Sequence, residues 1–174
     1  ALLSGGLGGL SWRQESAFMI AVVLLTTPLQ SAGEEVAMRG LLARCVGSWF
    51  SARRVGFVVA TTVSAVVFML LHGAGDIWLN VFYLTVAVAM SVLAWKTGGL
   101  EAPIALHVVN NLTSMITLPF TDLTGVFNRE AGVGSPWVLV NVAIAVGAAA
   151  AILWQARSLG LPTTAAPAAH SAAH

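Results

Sequence analysis

Glu34, Glu35 and Arg39, then His72, then His107 and Asn111 are polar or ionisable side chains set in stretches of sequence that are otherwise apolar. Charged groups near the middle of a membrane span cost on the order of 2.5 to 3.5 kcal/mol each, so their presence asks for a function. Glu35 and Arg39 are four residues apart, share a helix face and can neutralise each other. Glu34 lies about 100° round the same helix, without that partner and free to face a cavity. Phe68 and His72 are likewise four apart, as are His107 and Asn111, so each pair points one way from its helix. A carboxylate within hydrogen-bond reach of a water can take its proton, and an imidazole can hold or help activate the same water. N–H donors on one face are what a tetrahedral oxyanion requires. Glu34 with His72, facing His107 with Asn111, would thus suit hydrolysis of a peptide bond. Read singly, each group also has a structural meaning: an ion pair beside an interfacial acid, a histidine cap at a helix end, or a polar pair that glues two helices.

The elements that must position these residues are membrane helices. The chain of 174 residues is 57% hydrophobic and 9% charged, with a mean hydropathy of +0.86, against roughly 25% charged in soluble domains. A helix needs about 20 apolar residues to cross the hydrocarbon core, and five stretches come close: Ser16 to Arg44 with Pro28 and Gln30 inside it, Val55 to His72, Ile77 to Trp95, Pro103 to Pro119, and Pro136 to Trp154. The expected fold is all-α, a polytopic membrane bundle of about five transmembrane helices. All six tryptophans fall near the ends of these stretches, where the amphipathic ring prefers the membrane interface. Arg44, Arg53 and Arg54 follow the first span, Lys96 the third and Arg157 the fifth, whereas Arg13 and Arg129 lie on the opposite side among Glu15, Asp76, Asp122 and Glu130. By the positive-inside rule the C-terminus is cytoplasmic. Counted from the inner turns at about 1.5 Å per residue, the three polar groups can meet at one level, and three such groups at one level are a site rather than separate accidents.

Several classes are excluded. A formal charge of +1 cannot supply the basic stripe that nucleic acid needs, so no nucleic-acid partner is expected. Cys45 is the only cysteine, which removes internal disulfides and Cys-rich metal motifs. There is no H-E-x-x-H helix of the zincin type, and neither a G-x-S-G nor a G-x-G-D protease motif. Residues 1 to 16, apolar and Gly-rich at first, read as an extracytoplasmic segment or the end of an earlier helix; no charged region precedes them that would mark a retained signal peptide. Residues 161 to 174 read as a disordered cytoplasmic tail, in which His170 and His174 are solvated.

In order and helical setting, E-E-x-x-x-R at Glu34 to Arg39, F-x-x-x-H at Phe68 to His72 and H-x-x-x-N at His107 to Asn111 resemble the motifs of the CAAX prenyl proteases and bacteriocin-processing enzymes, the Abi or CPBP family of intramembrane proteases. The resemblance runs from about Thr27 to Leu118, including Arg39-Gly40-Leu41-Leu42 after the glutamates; Met38 stands where the family commonly has an aromatic residue. It implies a transmembrane protease core over 16–157, corresponding to the C-terminal five of about eight spans. It also implies catalytic Glu34, His72, His107 and Asn111, with Glu35, Arg39 and Phe68 in support.

The activity so implied is an intramembrane endopeptidase acting on a membrane-associated peptide or protein in a bacterial plasma membrane, with membrane lipid and the substrate as partners. The family has been described both without a metal and with one. A zinc ion would take Glu34, His72 and His107, with a water in the open position, so the cofactor expectation is none or zinc. Two other readings use the same helices. A non-catalytic immunity or scaffold protein of this fold would bind a partner through the polar cavity, although a degenerate member would be expected to lose at least one of the four catalytic candidates. A transporter would need an internal repeat or paired broken helices, and neither is seen.

Overall fold

A computed structural model describes residues 10–121 and 128–161 of the chain. Most of the expected tail, from 162 onward, lies outside the described residues, as do positions 1–9 of the expected N-terminal segment. The described residues are all-helical, with five main helices that we number α1 (Ser16–Gly47), α2 (Arg53–Leu71), α3 (Ile77–Thr97), α4 (Glu101–Met115) and α5 (Val138–Ser158). Four of them, all but α4, are long and apolar enough to cross a membrane. The chain is an integral membrane protein. Its outer surface agrees: Leu25, Leu29 and Leu70 are 65–76% exposed, an arrangement that water would penalise and lipid does not.

The fourth stretch differs from a full span. Helix α4 has 15 residues, about 22 Å at 1.5 Å per residue, against a hydrocarbon core of about 30 Å. It starts two residues before Pro103, which is accepted in a first turn because its missing N–H would have no partner there. It stops before Pro119, where the chain passes into a short 3-10 turn, Leu118–Phe120. Pro28, by contrast, leaves α1 helical on both sides.

Helix α3 is the hub. Its Val86, Met90 and Leu93 pack with Leu106 of α4 and with Ala145 and Ala149 of α5 into one buried cluster. The two alanines are four residues apart on α5 and let its backbone come close, the device membrane helices use where no hydrophobic driving force exists between them. On its other side α3 gives Ala87 to a second cluster with Ala65 and Phe68 of α2, against which Met38 of α1 and Tyr83 pack. Helices α1 and α2 meet at Gly47 and Gly56, where a Cβ on Gly56 would stand 2.8 Å from the Gly47 carbonyl oxygen. Only a glycine permits that approach.

Both ends of α3 are fixed by their own signals. Asp76 caps its start, with Oδ1 accepting from the backbone N–H groups of Trp78 (2.8 Å) and Leu79 (3.1 Å). Gly98 ends it in the left-handed region, φ 75°, with its N–H on Ala94. The other oxygen of Asp76 accepts from Gly132 at 2.9 Å, and Gly75 donates to the Arg129 carbonyl at 2.8 Å. These bonds clip the α4–α5 connection onto the start of α3.

Candidate active site

The glutamate pair stands where α1 changes its winding. The segment Val36–Leu42 is π-helical, and the Ala43 N–H reaches back to the Met38 carbonyl. Single π-turns inside α-helices gather at functional sites because they re-aim side chains. A hydroxyl from α2, Ser64, donates to that same Met38 carbonyl at 3.2 Å.

Glu35 is wholly buried and is the centre of the site. Its Oε1 accepts from Arg39 Nη1 at 2.8 Å, the pair expected from their spacing. It is bonded at 2.8 Å to His107 Nδ1 as well, a contact that the sequence reading, which gave Glu35 to Arg39 alone, does not contain. Arg39 is also buried; its Nη2 donates to the Ala87 carbonyl at 2.8 Å and its Nε to Ser91 Oγ at 3.4 Å. Its guanidinium lies 5.0 Å from the centre of the Phe68 ring, within range of a cation–π attraction. Arg39 is thus tied to α1, α2 and α3 at once, and through it Glu35 is held in one place.

Glu34 faces differently, as its turn of helix requires. Its side chain is 30% exposed, and Oε2 lies 3.6 Å from His107 Nε2, too long for a direct hydrogen bond. Gln30, one turn earlier, donates to Oε1 at 3.0 Å. The remaining oxygens, Oε2 of Glu34 and Oε2 of Glu35, are buried without a hydrogen-bond partner among the described residues. Buried acceptors are nearly always paired in proteins, and these two carboxylates flank one imidazole.

His107 is buried between these carboxylates, with Nδ1 on Glu35 and Nε2 toward Glu34. Because Oε1 of Glu35 already accepts from an arginine, Nδ1 of His107 is the donor in their bond. His72 ends α2, and its Nδ1 lies 2.8 Å from the Phe68 carbonyl oxygen. That oxygen only accepts, so Nδ1 carries the proton and Nε2 of His72 has a free lone pair. Phe68 touches both imidazoles, at ring-centre distances of 4.5 Å to His72 and 5.8 Å to His107. Asn111, one turn beyond His107, donates from Nδ2 to Ser31 Oγ at 3.2 Å and accepts from Asn110 at 3.2 Å. Ser31 is buried four residues before Glu35, which ties Asn111 to the same face of α1. Direct contacts therefore link Glu34, Glu35, Arg39 and His107; Phe68 joins His72 to them and Ser31 joins Asn111.

Reasoning from the sequence leaves out Ser31, Ser91, Tyr83 and Arg129. Ser31 carried a signal, its spacing of four from Glu35. Tyr83 is the only tyrosine of the chain; its ring stacks on His72 at 4.0 Å between centres, 28° from parallel. Its hydroxyl accepts from Arg129 Nη1 at 2.6 Å. The clipped α4–α5 connection thereby reaches the site and presses an aromatic plate against the catalytic histidine candidate. As for a metal, no three His, Cys, Asp or Glu side chains among the described residues are gathered as an ion requires. His107 gives Nδ1 to Glu35 and His72 gives Nδ1 to a carbonyl, which leaves Nε2 of each ring, with Glu34 Oε2 at 3.6 Å from that of His107, as the atoms that would hold a metal.

The family described as Rce1-like, type II CAAX prenyl endopeptidase, matches residues 13–113, a segment that contains Glu34 through Asn111. Uncharacterized protein YyaK of Bacillus subtilis (strain 168) is 27% identical over 101 residues, covering 55% of this chain and 32% of that protein. The chain spans about a third of the length of that curated relative. No solved structure matches it.

Proposed function

The chain belongs to the Rce1-like family of type II CAAX prenyl endopeptidases, a protease family, and from that premise we propose that it is an intramembrane endopeptidase hydrolysing a membrane-associated peptide or protein. The observation that carries this reading is Oε2 of Glu34: a buried carboxylate oxygen without a hydrogen-bond partner among the described residues, 3.6 Å from an imidazole nitrogen whose ring is anchored on a second carboxylate.

Each residue then has one task. Glu34 takes a proton from water as its oxygen attacks the scissile carbonyl carbon, and Nε2 of His72, whose tautomer the Phe68 carbonyl fixes, accepts a hydrogen bond from the same water. As the carbonyl becomes an oxyanion, it accepts from His107 Nε2 and from the second N–H of the Asn111 amide. To donate there, Nε2 has to carry a proton as well as Nδ1, and the Glu35 carboxylate faces the ring as counter-charge. Collapse of the adduct breaks the C–N bond, and the proton held by Glu34 passes to the leaving nitrogen. Arg39 touches no reacting atom; it positions Glu35. The mechanism needs no metal. The protein sits in a bacterial plasma membrane with its C-terminus in the cytoplasm, and its partners are membrane lipid and the substrate.

Comparative peptide profiling of membranes with and without the protein tests the proposal. The expected result is a small set of new C-termini in membrane-associated chains that vanish when the protein is removed. Identical profiles would favour a non-catalytic immunity or scaffold role for the same helices.

A further inference from the structure

On the far side of Arg39 from the two glutamates, the ends of α1, α2 and α3 enclose a cavity of about 560 Å³, within the usual range for a small-molecule site. Arg39 and Ser91 form part of its wall, and neither glutamate nor His72 nor His107 lines it. It is thus a compartment separate from the reacting groups. The buried Ala60 and Thr61 line it as well, and its mouth carries the exposed Arg44, Ser51 and Arg53.

The chemistry of this lining has one sign. Three arginines face the space and no carboxylate does. Glu101, the acidic group at the start of α4, lines a neighbouring groove instead, together with Lys96, Arg157 and Arg53, which borders both spaces. Among the described residues neither Arg44 nor Arg53 pairs with a carboxylate, since the ion pairs there are those of Glu34 and Glu35. Arg53 is held in place by Trp95, with its guanidinium 4.5 Å from the ring centre, and Trp95 also lines the cavity. Phe50, Phe57 and Leu100 give apolar walls below these cations. An occupant that satisfies both parts has an anionic head and an apolar body.

We propose that this cavity is a binding site for an anionic phospholipid, with its phosphate between Arg44 and Arg53 and apolar chain beneath it. The position fits: the basic residues Arg44, Arg53, Lys96 and Arg157 line two adjoining cavities at one end of the bundle, and basic pockets between membrane helices at such an end take anionic headgroups. A peptide substrate is a poorer match, since its scissile bond belongs at Glu34 and the Arg39 layer intervenes. Arg54 makes the site distinguishable from a general surface attraction, because it neighbours Arg53 in sequence but does not line the cavity.

The test is native mass spectrometry of the full chain in detergent, titrated with phosphatidylglycerol, with phosphatidylcholine of the same acyl chains, and with inorganic phosphate. Both lipids carry a phosphate, but phosphatidylcholine adds a quaternary ammonium that the two arginines repel, and we expect a preference for the net-anionic phosphatidylglycerol on the order of tenfold, lost in the double variant Arg44→Gln/Arg53→Gln and kept within about twofold in Arg54→Gln. Should the double variant fail to fold, Arg44→Gln alone, at an exposed residue, should still weaken binding several-fold while Arg53→Lys retains it. Equal binding of the two lipids, an equal loss in Arg54→Gln, or displacement of the lipid by inorganic phosphate or by a peptide with a free C-terminal carboxylate would overturn the proposal.

Discussion

Exchanging each of the two adjacent glutamates for glutamine should separate catalysis from stability. Glu35 is wholly buried, with one oxygen shared by Arg39 and His107 at 2.8 Å each. Glu35→Gln keeps the shape but removes the charge, leaving a buried guanidinium whose other acceptors, the Ala87 carbonyl and Ser91 hydroxyl, are neutral. Removing one partner of a buried ion pair costs about 3 to 5 kcal/mol, because the other charge stays behind unpaired. For a chain of this size about 1 kcal/mol corresponds to roughly 2 to 4 °C, so the melting temperature should fall by on the order of 10 °C. Glu34, 30% exposed at its side chain and hydrogen-bonded among the described residues to Gln30 alone, has no buried cation to strand, and Glu34→Gln should melt within about 2 °C of the wild type. Thermal unfolding in one detergent, followed by tryptophan fluorescence, measures both. If Glu35→Gln were as stable as the wild type, or if Glu34→Gln were the weaker of the two, the division of labour argued from these contacts would be wrong.

Tyr83→Phe keeps the ring stacked on His72 and loses only the hydroxyl that accepts from Arg129, so peptidase activity should stay within about twofold, whereas Tyr83→Ala removes the plate; an aromatic contact of about 0.5 to 1.5 kcal/mol predicts a loss of roughly 2- to 10-fold, and equal activity of the two variants would deny Tyr83 any part in holding His72. Asp76 should make the clip between α3 and the α4–α5 connection acid-sensitive: burial opposes its ionisation, yet the backbone N–H groups of Leu79, Gly132, Gly134 and Trp78 hold it below the ordinary carboxylate range. Its contribution to stability is therefore present above about pH 4 and lost as the pH falls through the lower folded value, so Asp76→Asn should melt earlier than the wild type at pH 7 and approach it in strong acid. Elemental analysis of protein purified without a histidine tag should find less than one zinc per chain, and a tightly bound equivalent lost in His72→Ala together with activity would make Glu34, His72 and His107 the ligands of a metal mechanism instead.

The parts of this molecule legible in its sequence are those governed by local periodicity. The spacing of four between Glu35 and Arg39 foretold their ion pair, and the long apolar runs and the tryptophans at their ends foretold α1, α2, α3 and α5 to within a few residues at each end. Pro103 and Pro119 bracket a stretch that suggests a span, but α4 has 15 residues, and the chain turns into a short 3-10 segment before Pro119 is passed. What the sequence did not reveal depends on which helix faces which. The bond from His107 to Glu35 joins residues 72 apart, and no pattern within α1 or α4 says that these two faces meet. The π-helical turn after the glutamates has no mark in composition, since Val36 to Leu42 are ordinary helix residues apart from Gly40. Tyr83 and Arg129 reach His72 only because Asp76 and Gly75 clip a connection onto the start of α3, a tertiary event.

The proposed mechanism turns on Glu34, so the most direct measurement is the cleavage rate of a substrate found by membrane profiling, determined for purified wild type and Glu34→Gln in the same lipid and with both shown to be folded. A positioned base is worth about 10² to 10⁴ in rate, and the account predicts a loss of at least about 100-fold in Glu34→Gln, with substrate binding unchanged. Cleavage by Glu34→Gln at the wild-type rate would contradict it.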